Sequence, residues 1–311
     1  MSKILSKTGA FSQKLLYLCS KNQSNSDDMK LKQTIWMVVM AAVVAVTASC
    51  RGNKVATVQG AGAEAQQPSQ LYDAKAATAR QKEPVMYELP AKLTDRPEQI
   101  LIRKGYTTSY NSKTKCPNWV AWHLTESHTC GSFQRSQEIF SEDSAITGSR
   151  ATDKDYYNSR YDRGHMCPAG DNKWDGQAMT ESFLFTNVCP QNHGLNKYEW
   201  NDLEMLCRDW ARKYGAIDIV CGPVYSQEDE QNTIGPNKVR VPSAFFKVVL
   251  CRKGTPKAIG FVYRNEGKKQ LMEDAVRTVD EIESLVQMDF FPALEDNTER
   301  RIEAEADLKQ W

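Results

Sequence analysis

Apolar positions along the chain fall into three regimes. Over residues 1–28 they are scattered among polar residues without a period. From Ile35 to Val46 they form one short continuous run. From about residue 83 onward, aromatic and β-branched residues recur in segments whose spacing predicts regular elements. Leu101 to Tyr110 and Trp119 to Leu124 alternate or cluster as β-structure does. Leu184 to Val188, Ile217 to Cys221, Ala244 to Leu250 and Ala258 to Tyr263 are further predicted strands. Asp175 to Phe183 predicts a short helix. Glu199 to Tyr214 predicts a longer one, ending before the terminator Gly215. Met272 to Leu285 is amphipathic, with Val276, Val279, Ile282 and Leu285 on one side of a predicted helix. The charged tail from Glu295 to Trp311 is a helix candidate that closes the domain. Gln134 to Asp143 reads as a loop that carries charge. No internal repeat is visible.

The apolar run at Ile35–Val46 has informative flanks. Met29-Lys30-Leu31-Lys32 precedes it and Thr47-Ala48-Ser49-Cys50 follows it. A basic start, a short apolar run and a small-residue end form a secretory signal layout. The run is too short for a comfortable membrane span of roughly 20 residues. Small residues before Cys50 resemble a bacterial lipoprotein signal, which implies a lipid on Cys50 and a mature chain that starts there. Thr47 stands where leucine is usual. Residues 1–28 are then an upstream extension before a start at Met29; a long leader before the same run is the alternative. Residues 51–82 are rich in Ala, Gln, Gly and Ser and bury too little to fold alone. They read as a flexible linker, with an isolated helix from Tyr72 to Gln81 as the other reading. The folded domain is expected over 83–311.

Of 311 residues, net charge is +1. Near-neutrality does not exclude a nucleic-acid enzyme, because a local positive groove is what matters. Arg135, Arg163, Lys173, Lys197 and Arg208 are candidates to line one, although any of them can equally be an ordinary solvated charge. Nine cysteines are present. No Cys-x-x-Cys pair exists, which argues against a structural zinc site. Cys116 with Cys130 is the first candidate disulfide.

The chemistry centres on Tyr157-Asn158-Ser159-Arg160-Tyr161-Asp162-Arg163-Gly164-His165-Met166-Cys167-Pro168. Its counterpart is Thr186-Asn187-Val188-Cys189-Pro190-Gln191, followed by Leu195-Asn196-Lys197-Tyr198-Glu199-Trp200-Asn201-Asp202-Leu203-Glu204. Together they supply an imidazole, a guanidinium, a carboxamide and a carboxylate, a set suited to metal-assisted attack of water on a phosphodiester. His165 is the candidate base, since imidazole titrates near neutral pH. Arg163 can pair with phosphate through two parallel hydrogen bonds. The side-chain oxygen of Asn196 suits a hard cation that keeps several waters. Glu204 would orient those waters. Gly164 frees the backbone to bend and lets substrate approach. At about 3.6 residues per turn, Asn196, Trp200, Leu203 and Glu204 fall on one helical face. His193 precedes Gly194 in a predicted turn, and His123 and His128 have no ligand spacing.

These two stretches resemble the DNA/RNA non-specific endonucleases, the family that includes mitochondrial endonuclease G. The likeness runs from about Trp119 to Pro292. It implies an α+β, ββα-metal fold with a central, mostly antiparallel sheet flanked by helices. By motif match, His165 is the general base, Asn196 the metal ligand, Arg163 the signature arginine and Glu204 the carboxylate that holds metal-bound water. Asn187 matches an asparagine of the active-site region, and Arg135 looks like an upstream phosphate-contacting arginine. Cys167 and Cys189 stand inside the motifs where other residues are expected, so oxidation near the site is a question. The implied protein is an exported, Mg²⁺-dependent endonuclease of DNA and RNA, with Mn²⁺ or Ca²⁺ as substitutes. It would be held in the periplasm or at the outer membrane by a lipid anchor at Cys50. An inactive nucleic-acid-binding lipoprotein and a small-nucleotide phosphodiesterase are the competing readings.

Overall fold

The central strands of the main sheet are built from largely apolar runs, and the reason is that both faces of that sheet are covered. The computed structural model describes residues 85–226 and 230–311, all within one compact unit. The extension at 1–28, the signal with Cys50 and the linker at 51–82 lie outside the described residues. The strands of the main sheet are β1 (Gln99–Ile102), β2 (Thr107–Asn111), β3 (Cys116–Thr125), β6 (Ala216–Val224), β9 (Ala244–Cys251), β10 (Lys257–Arg264) and β11 (Val276–Arg277). They pair antiparallel in the order β1-β2-β3-β6-β9-β10-β11. A separate antiparallel pair, β4 (Tyr161–His165) and β5 (Val188–Asn192), carries the central motif. A short third pair joins β7 (Thr233–Ile234) to β8 (Val239–Arg240).

Alternation along each strand divides the core in two. In β9, Phe245, Val249 and Cys251 join one cluster, while Phe246, Val248 and Leu250 join the other. The long helix α4 (Glu199–Tyr214) covers the first face with Trp200, Leu203, Cys207, Trp210 and Ala211. Helices α6 (Val279–Val286) and α7 (Asp296–Glu303) cover the second with Val279, Ile282, Val286 and Ile302. At 25 cal/mol per Å², each such side chain contributes about 1.5–3 kcal/mol. α4 ends as expected: Gly215 has φ 85°, a backbone conformation that costs any other residue a clash.

Four expectations are corrected. Leu184–Val188 is not one strand: Phe185–Asn187 forms a 3-10 turn, and β5 begins at Val188. Met272–Leu285 is not one helix. A first turn, α5 (Met272–Ala275), gives way to β11, because Val276 and Arg277 pair with the edge of β10 at Phe261 and Gly260. Thr278 then caps α6 in a reciprocal box with Glu281, and Leu285 turns out half-exposed while Val286 is buried. The tail is helical only over Asp296–Glu303; it finishes with Trp311 packed on Trp210 at 4.6 Å. Cys116 and Cys130 are both free, the first buried in the core and the second exposed.

Candidate active site

β4 ends at His165, opposite Val188 of β5. Phe183 meets the imidazole edge-on at 4.8 Å and Phe140 lies tilted against it at 5.1 Å. Phe140 comes from the predicted loop at 134–143. Ser141 pins that loop by bridging to the Phe183 carbonyl and the Phe185 amide. Burial, helped by the positive charge of Arg135, pushes the His165 pKa down to about 3. The ring is therefore neutral across the physiological range, the state a general base requires. Nε2 is sealed from solvent with no hydrogen-bond partner among the described residues. That leaves Nδ1 as the nitrogen open to the pocket.

Asn196 and Glu204 do not share one continuous helix. Asn192 caps a short helix, α3 (His193–Lys197), by accepting from the Gly194 amide. The chain then turns at Tyr198 (φ −114°, ψ −88°) before α4 begins. Trp200 and Leu203 are buried as expected, and Asn196 and Glu204 line one pocket from two separate helices. Asp162 fixes the carboxamide. Its Oδ2 accepts from Asn196 Nδ2 at 2.8 Å and pairs with His193 Nδ1 at 3.0 Å. A carboxylate only accepts, so the amide nitrogen faces Asp162 and Asn196 Oδ1 is turned away from it, with no donor among the described residues.

Glu204 lines the same pocket. Burial pushes its carboxyl up to about 7; Lys247, Arg208 and Arg135 oppose that, and Asp171 adds to it. Lys247 is fully buried in β9, 4.4 Å from the ring centre of Trp200 and 5.6 Å from that of Trp122. Its Nζ has no hydrogen-bond partner among the described residues. Asp171 is held by Arg208 at 2.9 Å and by the Trp122 indole at 3.1 Å. Arg163 stacks over Phe140 and Tyr156 and pairs with Asp153 at 2.5 Å, while its Nε is buried without a partner.

The pocket has a volume of about 570 Å³. It brings together Arg135, Arg163, His165, Asn196 and Glu204, and Lys173, Lys197 and Arg208 complete its basic lining. Asn187 is not among its lining residues. It is fully buried, and its polar atoms are spent on backbone: Oδ1 accepts from Cys167 N, while Nδ2 donates to Cys167 O and Ser182 O, each at 2.8 Å. Its place is beneath the His165 loop rather than among the reacting groups. Gly164 is also read differently. A Cβ there would lie 2.3 Å from Gln191 Oε1, so a buried side chain, not substrate, demands the glycine. Cys167 and Cys189 are fully buried and do not line the pocket. His123 pairs with Asp218, and His128 stacks on Trp174. Sequence reasoning missed Asp162's grip on Asn196, and it missed Lys247. A lone lysine inside the apolar run Ala244–Cys251 was the available signal.

The family model for DNA/RNA non-specific endonucleases matches residues 88–297. The chain belongs to that family. By that membership it is classed as a phosphodiester hydrolase. Family relatives include the mitochondrial nuclease EXOG of Xenopus laevis, 36% identical over 248 residues, covering 73% of this chain and 68% of that one. Human mitochondrial endonuclease G is 34% identical over 161 residues, covering 49% and 54%. Among solved structures, the EndoG/EndoGI complex matches with a TM-score of 0.62 at 26% identity, covering 68% of this chain and 91% of that chain. The chain spans about half to two thirds of the length of these curated relatives. β4 and β5 pair antiparallel, and the helices α3 and α4 follow β5 directly in the chain.

Proposed function

We propose that the protein is an exported, metal-dependent endonuclease that hydrolyses phosphodiester bonds of DNA and RNA with little sequence preference. The observation that carries this is the convergence, in one basic pocket, of a neutral His165, the unclaimed oxygen of Asn196 and the carboxylate of Glu204. The donor set suits a hard cation such as Mg²⁺: one neutral protein oxygen, with a carboxylate at hand for the waters it retains. When bound, that cation would offset charge on the phosphoryl oxygens and the leaving alkoxide.

The protein's own groups supply the rest. His165 Nδ1 takes a proton from the attacking water, and the phenylalanine rings hold the imidazole in the necessary orientation. Arg163 exchanges its pairing with Asp153 for a phosphate oxygen, keeping its stacking on Phe140 and Tyr156. Arg135, Lys173 and Lys197 extend the positive lining to neighbouring phosphates. Contacts of this kind fall on the backbone rather than on base edges and give little sequence preference. Export and attachment through Cys50 rest on the pattern of residues 29–50.

The test is incubation of the purified protein with plasmid DNA, RNA and dinucleotides, with Mg²⁺ or a chelator, beside His165→Ala and Asn196→Ala. Metal-dependent cutting of both polymers, lost in both variants, supports the reading. Cleavage of dinucleotides alone would point to a small-nucleotide phosphodiesterase. Binding without cutting would point to an inactive module. Mass spectrometry of the mature N-terminus tests the anchor, and a form starting before Cys50 would overturn it.

A further inference from the structure

The face of the sheet away from the pocket carries a second concentration of charge. Asp280 and Glu283 lie one turn apart on α6, and Glu303 lies in the last turn of α7. One carboxylate oxygen from each lies within 4.8 Å of the others. Glu303 is only 5% exposed, and its Oε1 is sealed from solvent with no hydrogen-bond partner among the described residues. Its neighbour Ile302 is buried in the core, so the helix cannot roll to release the carboxylate without exposing it. Burial, and then Glu283, Glu299, Asp280 and Asp289, push the Glu303 carboxyl up to about 9. Burial also raises Glu283 to about 7, although the Phe290 amide donates to its Oε1 at 2.7 Å.

Buried carboxylates that converge need either protons or a counter-charge. A donor set made only of carboxylate oxygens selects a hard cation. Ca²⁺ tolerates irregular coordination at mixed carboxylates and completes its shell with water, whereas Mg²⁺ demands near-ideal octahedral geometry. Exposed Asp280 leaves a side of the cluster open to that water. We propose that Asp280, Glu283 and Glu303 bind Ca²⁺ in a second, structural site that ties α7 to α6 on the face of the sheet opposite the catalytic pocket. The site is separate from catalysis: α6 and α7 pack on the cluster that contains Phe246 and Phe290, while the pocket rests on the cluster under α4.

The test is thermal unfolding of the chelator-treated full chain with added CaCl₂. A site that binds the folded state raises Tm by about 5 °C or more at a hundredfold excess over Kd. The rise is expected in wild type and in Asn196→Ala, and is lost in Glu303→Gln and in Asp280→Asn. Should Glu303→Gln fail to fold, the exposed Asp280→Asn decides alone. No rise in wild type would mean that the carboxyls share protons, and would overturn the proposal. So would a rise that survives both carboxylate variants, or one that vanishes in Asn196→Ala and so belongs to the catalytic pocket. An equal rise with MgCl₂ at the same concentration would overturn the assignment to Ca²⁺.

Discussion

Replacing Asn187 with alanine tests whether the catalytic loop is held from below. The side chain makes three hydrogen bonds of 2.8 Å, two to Cys167 and one to Ser182, and is 0% exposed. Each is worth about 1 kcal/mol net, and the backbone groups left behind are buried, which adds a desolvation penalty; the expected loss is about 3–5 kcal/mol. Against a total stability of 5–15 kcal/mol for a typical domain, the variant still folds. Its Tm falls by roughly 10 °C for a domain of this size. Cys167 is two residues from His165, so kcat should fall with little change in KM. Urea unfolding and steady-state cleavage of plasmid DNA are measured on the same preparation. Asn187→Asp is the control: it keeps the acceptor for Cys167 N but turns an oxygen toward two carbonyls, and should be no better than alanine. The reasoning is refuted if Asn187→Ala loses activity while stability changes by less than about 1 kcal/mol, since the side chain would then act on substrate directly.

Other outcomes follow from the same geometry. His165→Ala should keep the fold and lose about 10²–10⁴ in kcat, checked by single-turnover cleavage. The His165 pKa near 3, against 6.5 unfolded, means that the unfolded chain takes up a proton below pH 6.5 while the native one does not. Stability is therefore lost as pH falls, by roughly 2 kcal/mol between pH 7 and 5, and urea midpoints of His165→Gln should lack that component. Glu204, raised to about 7, accepts hydrogen bonds fully only above that pH. Activity should fall as pH drops below neutrality, a bound cation shifting the limb downward. Removing an opposing positive charge in Lys247→Met should move the limb to higher pH, and an unmoved profile would show that Lys247 does not act on Glu204. Arg163→Lys should lower kcat/KM by roughly tenfold or more, because an ammonium cannot reproduce the planar fork that stacks on Phe140 and pairs with phosphate.

Much of the site was legible because its chemistry sits in two short stretches whose residue types have few other uses together. Arg163, His165, Asn196 and Glu204 were named from those stretches, and the pocket gathers them with Arg135. Lys173, Lys197 and Arg208, read as candidates for a basic groove, also line it, although Arg208 is partly committed to Asp171. What was misread concerns the supports. Asn187 stands in the motif as an asparagine of the active-site region, and its hydrogen bonds run to backbone beneath the loop that follows His165. Gly164 looked like room for substrate and is room for Gln191.

Local pattern alone determined the central strands β3, β6, β9 and β10, because runs buried on both faces stay largely apolar, and the long helix, because α4 presents one buried stripe and stops at a glycine. It also set the inventory of the chemistry. Only tertiary structure decided where elements break and which groups meet. The edge of β10 recruits Val276 and Arg277 and so splits an amphipathic helix that periodicity reads as continuous. Asp162, more than thirty residues before Asn196 in the chain, decides which way that carboxamide faces. Lys247 arrives from another strand to set the charge around Glu204. Hydrophobic spacing is a property of neighbours in sequence. Orientation, burial and pKa belong to neighbours in space, and those exist only once the chain has closed on itself.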